Sequence, residues 1–153
     1  DEVLMRTPVV KRLLKGLYTA RFAESLSVLI KGGVPIAQAI EITGQTIGNV
    51  AYRDVLHEAA GDVRKGDLFS NSLSRHEELF PPLVNQMIAV GESTGRLDSL
   101  LEKIGEFYTR EVDASIGGLI ELIQPLVLVI IGVLVGGLFA SILIPIYNLA
   151  QTF

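Results

Sequence analysis

Residues 126–144 read LVLVIIGVLVGGLFASILI, a run of 19 residues in which Ser141 is the one polar side chain. With a rise of about 1.5 Å per residue, a helix of this length is roughly 28 Å long, close to the hydrocarbon thickness of a bilayer. A helix also satisfies its own backbone hydrogen bonds, which lipid cannot do. We therefore interpret the run as a transmembrane helix rather than as a buried core helix.

The distribution of charge divides the chain at the same place. All 13 Lys and Arg and all 17 Asp and Glu lie at or before Glu121, and residues 122–153 carry none. We predict a water-soluble domain over 1–121, a transmembrane helix over 122–150 and a short tail over 151–153. The basic residue closest to the span is Arg110, on its N-terminal side, so the positive-inside tendency predicts a cytoplasmic domain.

Small residues recur within the span. Gly132 and Gly136 form a GxxxG step, and Gly137 and Ser141 form a second step of the same spacing. Such steps favour close packing of membrane helices, although glycine is also simply common in them. We predict helix packing here, and a kink where Pro125 removes a backbone hydrogen bond.

Ahead of the span, apolar residues recur at helical spacing, and no segment alternates with period two. Helix boundaries are indicated by Gly32-Gly33 with Pro35, by Gly48 with Asn49 as a candidate N-cap, and by Gly66, Pro81-Pro82 and the stretch 91–95. We expect an all-α fold: an antiparallel helical bundle of about six helices whose last helix continues into the single transmembrane helix.

The amino-acid composition and the absence of known motifs exclude several kinds of site. The chain has no Cys, which excludes disulfides, thiolate zinc sites and a thiol nucleophile. The net charge is −4 and there is no basic cluster, so a nucleic-acid partner is not expected. Neither a GxxxxGK[ST] phosphate loop nor a GxSxG turn occurs, and we predict neither an enzyme nor a cofactor.

Acidic residues are the remaining candidates for a site. Asp98, Glu102 and Glu106 are spaced to share one helix face, and Glu92 stands between glycines at a predicted helix break. Glu92 and Glu102 are weak candidates for a divalent cation, but such carboxylates mostly face water. We expect no metal, and we expect Glu92 to bond backbone groups in the break or to pair with Arg96.

Three stretches carry a resemblance: RFAESLSVLIKGGVPIAQAIEI (21–42), LFPPLVNQMIAVGESTGRLDSLLEKIGEFYTREVD (79–113) and ILIPIYNLAQ (142–151). Together they resemble the type II secretion F family, the inner-membrane platform proteins of type IV pili and type II secretion. The residues that match the family's motifs are Arg21, Phe22, Gly33, Pro35, Phe80, Pro81, Gly91, Glu92, Gly95 and Leu97.

The resemblance implies a non-enzymatic scaffold with a six-helix cytoplasmic bundle and a periplasmic C-terminus. It implies that the chain couples a cytoplasmic motor ATPase to the assembly or disassembly of pilins. Pilin or pseudopilin subunits, inner-membrane alignment proteins, lipid and further copies of the chain are the other implied partners.

Family members usually carry two homologous cytoplasmic domains and three membrane helices, whereas this sequence resembles the second half alone. A second hypothesis from a different class is a single-span receptor or adaptor whose helical domain binds a small ligand or a cation.

Overall fold

The structure, a computed structural model, describes the backbone of residues 8–150 and the side chains of residues 10–118, 121 and 123–144. Residues 8–150 contain no strand, which confirms the predicted all-α class. Their helices are α1 (Pro8–Lys31), α2 (Ile36–Thr46), α3 (Val50–Lys65), α4 (Phe69–Ser74), α5 (Pro82–Thr94) and α6 (Leu97–Ala150). The predicted tail, 151–153, lies outside the described residues.

Helix α3 shows how the sequence sets a helix boundary. The Asn49 side chain accepts hydrogen bonds from the backbone N–H groups of Ala51 and Tyr52, at 2.9 and 3.3 Å. These N–H groups have no partner within the helix, so Asn49 is the N-cap that the sequence predicts. At the other end, Gly66 has φ of 99°, a left-handed conformation that favours glycine and closes the helix.

The predicted break at 91–95 is wrong in part. Helix α5 runs through Gly91 and Glu92 and ends at Gly95, whose φ is 68°. Gly91 serves close packing, because a Cβ atom there would lie 2.9 Å from the Cα of Leu97. The glycine therefore lets the last turn of α5 pass close to the start of α6.

The chain divides into two compact units, Asp1–Asp113 and Ala114–Phe153. Aromatic rings form the centre of the first unit. Phe22, Phe69 and Phe80 are fully buried, and the ring of Phe22 lies 5.0 Å from that of Phe80 and 6.1 Å from that of Phe69. Rings at these separations contribute about 0.5–1.5 kcal/mol per pair beyond the burial of apolar area.

Tyr52 extends the aromatic centre towards the loop before α5. Its ring lies 5.3 Å from that of Phe80, and its hydroxyl donates a hydrogen bond to the Leu79 carbonyl at 3.0 Å. Burial raises the pKa of Tyr52 to about 12. The hydroxyl is therefore held in its neutral, donating form.

Within the first unit, α1 packs antiparallel to the N-terminal part of α6. Lys31 lies 2.7 Å from Glu102, whereas Arg12, at the other end of α1, lies 3.1 Å from Glu111. The helices approach closely at Gly105, where a Cβ atom would lie 2.8 Å from Cγ of Glu24. The antiparallel bundle predicted from the sequence is thus held on one side by α1 against α6.

The second unit is the continuation of α6. Its described side chains over 123–144 are all exposed, and the most apolar stretch of 97–144 has a mean hydropathy of 2.9. Among the described residues this helix is the one long and apolar enough to cross a membrane. The helix is continuous through Pro125, and the predicted kink there stays a prediction, as does the domain boundary at 121.

The small residues of the span lie on open faces. A Cβ atom at Gly132, Gly136 or Gly137 would meet no heavy atom within 4 Å, and Ser141 is exposed. The chain therefore leaves these faces free for another membrane helix, and the predicted packing stays a prediction.

Candidate functional site at the α4–α5 corner

Glu92 binds the N-terminus of α4. One carboxylate oxygen accepts the N–H of Phe69 at 2.6 Å, and the other accepts the N–H and the hydroxyl of Ser70 at 3.1 and 2.6 Å. The residue at the N-cap of α4, Leu68, has no side chain that could accept these bonds. The carboxylate of α5 therefore supplies the N-terminal cap that α4 lacks in its own sequence.

This arrangement corrects the expectation for Glu92. The carboxylate does bond backbone groups, but they belong to α4, 22 and 23 residues earlier in the chain, and not to the end of α5. Within the part of the chain that the structure describes, Glu92 forms no ion pair with Arg96. Its role at this corner is to fix one helix against another.

Helix α4 is also tied to α3 by a second polar cluster, which the sequence did not single out. The hydroxyl of Ser72 donates to Asp62 Oδ2 at 2.8 Å, and the Arg75 guanidinium binds both Asp62 and Glu58. The hydrogen bonds from Ser72 and Arg75 lower the pKa of Asp62. With six residues, α4 is too short to be stable alone, and these contacts hold it from two sides.

The cation candidates have nitrogen or hydroxyl partners. Both oxygens of Glu92 accept hydrogen bonds from α4, and Glu102 Oε2 lies 2.7 Å from Lys31 Nζ. Residues 8–150, as far as their side chains are described, contain no group of three or more His, Asp and Glu that could hold a metal ion. The arrangement positions helices, and we assign it no reaction.

The other motif residues fall into two sets. Phe22, Phe80 and Leu97 lie in the core, with exposures of 0%, 0% and 5%. A second set stands at helix ends or at close helix contacts, namely Gly33 (φ 82°), Pro35 before α2, Pro81 before α5, Gly91 and Gly95.

Arg21 differs from the rest of the motif because its side chain is exposed on α1. It lines a groove of about 320 Å³ together with residues of α1 and α2, among them Glu24 and Thr43. Arg21 has no ion pair among the described side chains. Neither helix packing nor an ion pair therefore explains why this position carries a positive charge.

Comparisons with known proteins place these features in a family. Residues 22–145 match the family model described as "Type II secretion system (T2SS), protein F". The chain is 36% identical over 152 residues to the type IV pilus assembly protein PilC of Thermus thermophilus, and 38% identical over 150 residues to that of Myxococcus xanthus. It is 36% identical over 148 residues to the type II secretion system protein F of Pseudomonas aeruginosa.

These matches cover 99%, 98% and 97% of this chain, but 37%, 36% and 36% of the three relatives. The chain thus spans somewhat more than a third of the length of the curated relatives it matches.

We predict that Glu92→Gln lowers the free energy of unfolding by about 1–2 kcal/mol, because the amide nitrogen that replaces one oxygen cannot accept a hydrogen bond and the other oxygen loses its charge. The measurement is urea unfolding of the full chain in detergent, followed by the near-UV circular dichroism of its tyrosines. The matched control is Glu106→Gln, whose exposed carboxylate lies 3.9 Å from Arg110. That change should cost less than about 0.5 kcal/mol. Equal effects of the two substitutions would contradict the capping role.

Proposed function

Because the chain belongs to the type II secretion system protein F family, we propose that it is a membrane platform component of a type IV pilus or type II secretion machine. The observation that carries the proposal is the extent of the family match, residues 22–145. The matched region includes the aromatic core, the Glu92 corner and most of the apolar helix. The proposal therefore rests on both units of the chain.

The proposed platform works by binding and not by catalysis. Its acidic groups at the α4–α5 corner are engaged with helix ends and hydroxyls. Its role is to couple a cytoplasmic motor ATPase to the insertion or removal of pilin or pseudopilin subunits. Alignment proteins of the inner membrane, lipid and further copies of the chain complete the proposed set of partners.

Helix α6 is the proposed link between motor and membrane. Its first turns pack in the bundle through Leu97, Leu101 and Ile104, all at most 5% exposed. The same helix continues without interruption into the apolar stretch 126–144. A displacement of the bundle would therefore act on a helix that also contacts lipid.

We place the bundle, residues 1–121, in the cytoplasm, the span at 122–150 and the tail 151–153 in the periplasm. All of the basic residues precede the span. The positive-inside tendency supports this orientation. The alternative is a single-span receptor or adaptor that binds a small ligand or a cation. Its cation-binding form has less support because Glu92 and Glu102 already bind groups of the chain itself.

Deletion of the reading frame that encodes this chain tests the function. We expect the strain to lose surface pili or secretion of its type II substrates, and a wild-type copy to restore them. A copy that ends at Asp113 should fail, because it lacks the apolar helix. Normal pili and normal secretion in the deletion strain, in the absence of a second copy of the gene, would contradict the proposal.

Orientation is tested with single cysteines, since the natural sequence has none. In intact spheroplasts, a membrane-impermeant maleimide should label Thr152→Cys but not Glu77→Cys, which is exposed on the bundle. After lysis both should react. Labelling of Glu77→Cys in intact spheroplasts would place the bundle outside the cytoplasm.

A further inference from the structure

A groove of about 480 Å³ lies between the C-terminal half of α5 and the N-terminal turns of α6, within the first unit. We name it the α5–α6 groove. It is lined by Val90 and Thr94 of α5, by Arg96, and by Ser99, Leu100 and Lys103 of α6. The spacing of Arg96, Ser99, Leu100 and Lys103 puts them on one helical face.

The groove carries two cations that lack acidic partners. Of the seven arginines whose side chains are described, Arg21 and Arg96 form no ion pair, and each of the other five lies within 4 Å of a carboxylate: Arg12, Arg53, Arg64, Arg75 and Arg110. Among the same described side chains, Arg96 and Lys103 form no ion pair. Three acidic residues near them in sequence are engaged elsewhere: Glu92 binds α4, Glu102 binds Lys31 and Glu106 lies near Arg110. Among the described side chains, Asp98, two residues from Arg96, forms no ion pair with it.

The walls of the groove combine apolar and hydroxyl groups. Val90 is 53% exposed, although it is a large apolar side chain. The hydroxyls of Thr94 and Ser99 donate to backbone carbonyls of Val90 and Arg96, at 2.7 and 3.1 Å. Their oxygens still have lone pairs to accept hydrogen bonds from a ligand.

We propose that the α5–α6 groove docks an acidic amphipathic helix of a partner protein. Arg96 suits a carboxylate because its planar guanidinium binds both oxygens at once. Lys103 follows seven residues later, about 10 Å along the helix, which matches two carboxylates two turns apart on a partner helix. An apolar side chain between those carboxylates would cover Val90 and Leu100.

Charge complementarity favours this occupant over others. The chain has a net charge of −4, whereas the groove carries two cations without an ion pair among the described side chains, so an acidic partner is attracted to the groove more than to the chain as a whole. This inference rests on the proposed platform function in one respect: a platform needs protein partners.

The test uses the full chain in nanodiscs of neutral phosphatidylcholine. The probe is a fluorescent helical peptide of about 21 residues, in which Glu recurs every seventh position beside a stripe of Leu. We expect the peptide to bind, and its affinity to fall as salt is raised. The combined change Arg96→Glu and Lys103→Glu should weaken binding at least about tenfold, because two attractions become repulsions.

Two controls isolate the groove. The combined change Arg53→Glu and Arg64→Glu alters net charge equally at exposed positions of α3 and should leave affinity within about twofold of wild type. A peptide with Gln in place of Glu should bind the wild-type chain weakly. Equal weakening by both pairs of substitutions would overturn the proposal, as would salt-independent binding.

Lipid is the competing occupant. Vesicles of equal parts phosphatidylethanolamine and phosphatidylglycerol should not displace the peptide. Displacement that depends on Arg96 and Lys103 would assign the groove to anionic headgroups and overturn the proposal. If the groove variant fails to bind the peptide but restores the deletion strain fully, the groove has no role in the machine, while the platform function stands.

Discussion

The need to keep residues 126–144 out of water is the constraint on which the rest of the structure depends. Every side chain in this stretch is exposed, and most belong to Leu, Val and Ile. Transfer of one such side chain out of water contributes about 1.5–3 kcal/mol. The sum of these transfer free energies over the stretch far exceeds the free energy of folding of a small domain. Lipid solvates these apolar side chains, and the helical conformation satisfies the backbone hydrogen bonds.

The first unit folds with no disulfide to hold it, because the chain has no Cys. Its aromatic centre supplies the apolar contacts that bring α1, α3, α4 and the start of α5 together. Glu92 and Asp62 orient the short α4, because each carboxylate forms hydrogen bonds with it from a different side. A corner built in this way places the start of α6 in a defined position on the bundle through Gly91 and Leu97.

The sequence predicted the features that depend on local chemistry. The Asn49 cap, the helix end at Gly66 and the apolar span follow from single residues or from a continuous pattern, and the structure contains all three. The partner of Glu92 could not be predicted, because the groups that it binds are more than 20 residues away and are brought near by tertiary packing. For the same reason the sequence pattern indicates a helix break at Gly91, although this glycine allows a close contact with Leu97. That Arg96 and Lys103 form no ion pair is also a tertiary feature, because the sequence places several acidic residues near both of them.

Extraction of the natural membranes with alkaline carbonate, followed by flotation on a sucrose gradient, tests the central claim most directly. The account predicts that the chain stays with the lipid and floats, because a helix solvated by hydrocarbon is not released when ionic contacts are broken. Recovery of the intact chain in the soluble fraction, monodisperse in buffer without detergent, would contradict it.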